Sequence, residues 1–151
     1  MRLRHRIDTH PGSSARERRR ALVLAVLVVG SAAALAGSSW QATAINNGRQ
    51  AVASVVADSS VTLEFGDDGK ASGSAGCNRY TTAYRHDGAA LRFETPAATK
   101  RECKRPDLMA QEDSFLKALQ TVATARFDDD RLELRTSDGA LAVQLRRAGR
   151  K

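Results

Sequence analysis

Cys77 and Cys103 are the only cysteines in the 151-residue chain. Cys77 sits in the densest reactive stretch, Gly73-Ser74-Ala75-Gly76-Cys77-Asn78-Arg79-Tyr80. A thiol can serve as a nucleophile, a metal ligand or half of a crosslink. A nucleophile needs a thiolate and normally a histidine base. Beyond residue 36 the one histidine is His86, in Tyr84-Arg85-His86-Asp87-Gly88, which reads as an exposed hairpin turn. A structural zinc site takes about four ligands, and neither cysteine belongs to a C-x-x-C pair. The glycines do not make a phosphate loop, because no Lys-Ser or Lys-Thr follows them. Asp128-Asp129-Asp130 lacks the spaced oxygen ligands of a calcium loop and reads as a hairpin turn. Glu112 and Asp113 read as neighbours on the polar face of a helix with no carboxylate opposite. No cofactor, metal site or catalytic residue is therefore expected, and the chain reads as a non-enzyme.

The crosslink fits best if the chain leaves the cytosol, since disulfides persist in oxidising compartments. Seven arginines and only two acids lie in the first 36 residues, so most of the net charge of +7 belongs to that segment. The rest is close to neutral, which argues against a nucleic-acid partner. The basic run is followed by an apolar run from Ala21 to Ala36 that only Ser31 interrupts. That run is shorter than the roughly 20 residues of a spanning helix, and Ala34-Leu35-Ala36 fits the A-x-A cleavage pattern. Residues 1–36 are thus expected to be a secretory signal helix cut before Gly37, or else a membrane anchor, with residues 37–151 forming one domain. Arginines ahead of the apolar run keep that end cytoplasmic and send the remainder to the periplasm or outside. Contact with the membrane is expected only through residues 21–36. Ser38 stands where a lipoprotein would carry its cysteine, so no lipid attachment is expected.

The elements that must position the cysteines are mostly strands. Val61, Leu63 and Phe65 alternate with polar residues, as do Tyr80, Thr82 and Tyr84. Leu91 with Phe93, Leu132 with Leu134, and Leu141, Val143 and Leu145 repeat the same period of two. Turn sequences separate these runs (Gly66-Asp67-Asp68-Gly69, Asp87-Gly88, Asp138-Gly139), which predicts an antiparallel meander. Residues 45–59 read as a weak strand plus loop. Gly73 is expected to mark a bulge and Gly76 a tight turn, with Asn78 bonding nearby backbone. One segment differs: Leu108, Phe115, Leu119 and Val122, widened by Met109 and Leu116, have helical spacing. Asp107 is the expected cap of that helix. A disulfide between Cys77 and Cys103 would tie the helix entry to a sheet turn. Its stabilisation would be about 3 to 4 kcal/mol in the chain-entropy picture.

These residues resemble the META domain family, which includes the bacterial heat-shock protein HslJ. The similarity begins at Trp40 and runs through Gly73, Gly76, Cys77, Asn78 and Tyr80. It continues with Thr99 and Cys103, the Gln111-Glu112 pair before an aromatic, and the closing strands to about residue 147. The resemblance implies a mainly β, α+β fold: a curled, barrel-like antiparallel sheet of broadly lipocalin form with one packed helix. It also implies an exported envelope protein linked to stress or antibiotic tolerance, without enzyme activity. The expected partner is an envelope protein or a small apolar ligand, and the expected state is a monomer. For a carrier, Tyr80, Tyr84 and Phe93 would line the pocket. For an interaction or inhibitor module, an exposed apolar patch is expected instead. The basic Lys100–Arg105 run is expected to be a solvated loop, the alternative being contact with an acidic partner or lipid headgroups.

Overall fold

A computed structural model describes residues 35–49 and 51–149. The expected signal helix, through Ala34, lies outside the described residues. Ten strands and one helix follow in the order β1 (Ser39–Asn46), β2 (Val52–Ser54), β3 (Thr62–Phe65), β4 (Lys70–Ser74), β5 (Arg79–Asp87), β6 (Ala90–Phe93), β7 (Ala97–Ala98), α1 (Pro106–Thr121), β8 (Val122–Asp128), β9 (Arg131–Thr136) and β10 (Leu141–Arg147).

Every pairing is antiparallel, and the sheet closes on itself. The order is β10-β9-β8-β6-β5-β4-β3-β1, with β1 pairing again to β10 from Trp40↔Arg147 to Ile45↔Val143. That makes an eight-stranded barrel, and closure removes the edges on which open sheets aggregate. β2 and β7 are short additions that pair with β1 and β5. The weak strand and loop expected over residues 45–59 divide differently. β1 starts at Ser39, because Trp40, Ala42 and Ile45 must face the core and register with β10 on one side and β3 on the other. A bulge between Ala42 and Ala44 shifts that face by one residue.

The period-two runs bury the side chains the alternation marked. Val61, Leu63, Phe65, Leu91, Leu132, Leu134, Val143 and Leu145 lie in one core cluster with Trp40. Phe65 meets Tyr84 edge-on with ring centroids 5.0 Å apart and Phe93 at 6.0 Å. The helix packs against β1, β10 and β6. Strands β6 and β10 lie three steps apart around the wall, so α1 sits across the mouth of the barrel and fills it with Phe115, Ala118 and Leu119. Among the described residues no helix is long and apolar enough to cross a membrane.

The start of α1 departs from the sequence reading. Arg105 is the N-cap and Pro106 the first helical residue, where its missing N–H costs nothing. Asp107 lies inside the first turn and pairs with Arg105 at 2.6 Å instead of capping. The buried face also differs. Met109 is exposed, while Gln111 and Glu112 are buried together with Phe115, Ala118 and Leu119. The helical period is right, but the N-terminal half of its inward stripe is polar.

Candidate functional site

The reactive stretch forms the turn between β4 and β5. The Ala75 N–H donates to the Asn78 carbonyl at 2.8 Å, closing four residues around Gly76 and Cys77. Gly76 has φ +114°, a conformation open to glycine alone in practice. A side chain there would also approach the Gln111 amide.

Gly73 has another role than the expected bulge. β4 and β5 keep unbroken register from Lys70↔Ala83 to Ser74↔Arg79. At Gly73 a Cβ would lie 2.2 Å from the Thr62 carbonyl oxygen of β3. That oxygen accepts from the Tyr80 hydroxyl at 2.7 Å, and Thr62 Oγ1 accepts from the Ser74 N–H at 2.9 Å. Glycine is required because three strands converge on one peptide group, which is the close backbone approach that strand glycines permit.

Cys77 and Cys103 are joined in a disulfide with Cα atoms 6.1 Å apart, within the usual span. It connects the β4–β5 turn to the segment that enters α1. His86, expected in an exposed turn, belongs to β5 opposite Leu91, and both its ring nitrogens are buried without a hydrogen-bond partner. The strand simply continues through Asp87, so the turn falls at Gly88-Ala89.

Asn78 bonds across the fold, beyond the nearby backbone expected for a turn asparagine. Its backbone N–H and its Nδ2 each donate to Glu112, at 2.8 Å to Oε2 and 2.8 Å to Oε1. Nδ2 also reaches the Arg101 carbonyl at 3.2 Å, while Oδ1 accepts from the Arg101 N–H at 2.7 Å and from Thr99 Oγ1 at 3.0 Å. The neighbouring Gln111 holds the loop after β2: its Oε1 accepts the Val56 N–H at 2.6 Å and its Nε2 donates to Ser59 Oγ at 3.0 Å. Glu112 therefore leaves the polar face the sequence suggested. A buried carboxylate is tolerable when it accepts charge-assisted bonds from otherwise unpaired donors. Asp113 stays on the exposed face, paired with Lys117 at 2.7 Å. The signal that marked Gln111-Glu112 was the family pattern; hydrophobic periodicity gave no hint of them.

The three aromatics expected around a pocket do not share one among the described residues. Tyr80 is buried edge-on against Phe115 at 5.4 Å. The Tyr84 hydroxyl donates to the Gly66 carbonyl at 2.6 Å, and Phe93 is buried behind Phe65. Burial, and then the Glu64 carboxylate, hold the Tyr80 phenol well above its ordinary range. Burial followed by Asp68 and Asp67 raises Tyr84 as well. A cleft of about 1160 Å³ lies outside the barrel between α1 and the β1–β2 and β9–β10 connections. Asn46, Arg49, Val52, Asp113, Lys117 and Asp138 are among its lining residues. The Lys100–Arg105 loop is solvent-exposed except at Cys103. Among the described residues no group of three or more His, Cys, Asp or Glu side chains is placed to hold a metal ion.

Comparison with known proteins agrees with this architecture. A protein from Burkholderia xenovorans solved by NMR is 26% identical, with a TM-score of 0.62 over 78% of this chain and 86% of that one. A second NMR structure is 21% identical, with a TM-score of 0.58 over 76% of this chain and 92% of its own. A DUF4847 family protein from Bacteroides vulgatus is 14% identical, with a TM-score of 0.50 over 78% of this chain and 96% of its own. The last two show the fold alone. No curated protein matches the chain. The META domain family model matches residues 33–149, which cover the barrel, the helix and the Asn78–Glu112 clamp: the chain belongs to the META domain family.

Proposed function

We propose that this is an exported, non-enzymatic META-domain protein of the cell envelope that engages a partner under stress or antibiotic challenge. The observation that carries the reading is the use of both sulfur atoms as architecture. The Cys77–Cys103 bond fastens the β4–β5 turn to the entry of α1, in step with the Glu112 clamp on Asn78. A bond of that kind is compatible with a compartment outside the cytosol, and the basic-then-apolar segment ahead of the domain points the same way.

Of the alternatives, an interaction or inhibitor module would use the charged cleft beside α1, lined by Arg49, Lys117, Asp113 and Asp138, in place of the apolar patch expected for it, since among the described residues Val52 and Met109 are the large hydrophobics exposed. A carrier of small apolar ligands is less favoured, because Trp40, Phe65, Phe115 and Leu63 fill the barrel where such a ligand would sit. Fractionation of cells expressing the full chain, together with survival of a deletion strain under heat and cell-wall antibiotics, tests the proposal. Recovery outside the cytosol with reduced survival, restored by the gene, is the expected result. A cytosolic protein whose loss leaves survival unchanged would overturn it.

A further inference from the structure

The short turn ahead of β1 is built into the fold. Leu35 is 1% exposed and belongs to the core cluster that contains Trp40. Its carbonyl accepts the Ser38 N–H at 3.0 Å and the Ser38 hydroxyl at 2.5 Å. The same Ser38 oxygen accepts the Trp40 indole N–H at 2.7 Å. The turn is stitched to β3 in both directions, Gly37 N–H to Phe65 O at 2.7 Å and Phe65 N–H to Ser38 O at 2.9 Å. Ala36, by contrast, is exposed.

A cut between Ala36 and Gly37, the position the Ala34-Leu35-Ala36 pattern suggests, would discard Leu35. The core would lose a fully buried side chain, and buried Ser38 would lose the carbonyl that receives its N–H and its hydroxyl. A void and an unsatisfied buried group are two of the recognised routes to large destabilisation. The same small-residue requirement is met two residues upstream by Ala32-Ala33-Ala34. We infer that the signal is removed between Ala34 and Leu35, so that the mature chain begins with a leucine that enters the core. This inference rests on the export reading, deepening it to a processing site.

The test is intact mass and N-terminal sequencing of the full chain expressed in an exporting bacterial host. Two variants separate the sites: Ala32→Leu alters only the upstream pattern, and Ala36→Leu only the downstream one. A terminus at Leu35, unchanged by Ala36→Leu and lost or shifted in Ala32→Leu, is expected. A terminus at Gly37, or any other cleaved terminus, overturns the processing site and leaves export standing. An intact terminus at Met1 overturns the cleavable signal, and the inference with it. In the full exported chain, Leu35→Ala should lower the melting temperature by on the order of 10 °C, whereas a shift under about 2 °C would contradict the role given to this side chain.

Discussion

Both carboxylate oxygens of Glu112 accept hydrogen bonds from Asn78, one from its backbone N–H and one from its side-chain amide, each at 2.8 Å. Glu112 is 7% exposed and Asn78 2%. The pair joins the first half of α1 to the β4–β5 turn, beside the disulfide that joins the same turn to the segment entering the helix.

Glu112→Ala leaves the Asn78 backbone N–H and one of the two Nδ2 protons buried without an acceptor, the other still reaching the Arg101 carbonyl, and a loss of about 2 to 4 kcal/mol is expected in urea unfolding. Asn78→Asp sets a carboxylate oxygen against Oε1 of Glu112 and should cost at least as much. The double variant Asn78→Asp with Glu112→Gln restores a donor–acceptor match and should recover a large part of it. Additive losses in this cycle would show that the two side chains are not coupled.

Gly73→Ala should destabilise the barrel by about 3 kcal/mol or more, since the added methyl must displace the Thr62 peptide shared by three strands. Gly139→Ala meets open space and only an unfavourable φ of +86°, and should cost about 1 kcal/mol. Equal losses in thermal unfolding would contradict the close-approach account of Gly73.

The phenol of Tyr80 gives the fold an alkaline limit. Its pKa in the folded chain lies far above the ordinary value of 10.0, so above that pH the unfolded chain releases a proton that the folded chain keeps. The contribution is intact below pH 10.0 and falls as pH rises beyond it, by about 1.4 kcal/mol per pH unit for one proton. Tyr80→Phe should lose about 1 kcal/mol at neutral pH through the bond to the Thr62 carbonyl. It should then show a shallower decline between about pH 10 and 11.5. An unchanged slope would contradict the buried, neutral phenol.

Most of the barrel was legible in the sequence because each strand buries one face, and the alternation of Leu63, Phe65, Leu132, Leu134, Val143 and Leu145 records that directly. The positions that sequence reading misplaced are those where long-range contacts decide. Gly73 looked like a bulge because a lone strand does not reveal the Thr62 carbonyl pressing on it. Glu112 reads as a surface residue because hydropathy cannot anticipate the buried Asn78 donors on the β4–β5 turn. Asp107 does not cap the helix, because Arg105 takes the N-cap position and Pro106 the first helical one. The short β7 left no pattern because two residues carry no periodicity.

Reduction of the disulfide should lower stability by about 2 to 5 kcal/mol, and Cys77→Ser with Cys103→Ser should reproduce the loss without further change on adding reductant. A double variant as stable as the parent would mean that the Glu112 clamp alone holds the helix entry.

Thiol trapping on the exported protein tests the central claim most directly. Cells are quenched in acid and treated with an alkylating reagent, with and without prior reduction, and the intact mass of the extracytoplasmic protein is read. The expected result is no alkylation until reductant is added and then two adducts, at Cys77 and Cys103. Alkylation of Cys77 in the exported protein without prior reduction would contradict the assignment of sulfur to architecture and return that residue to chemistry.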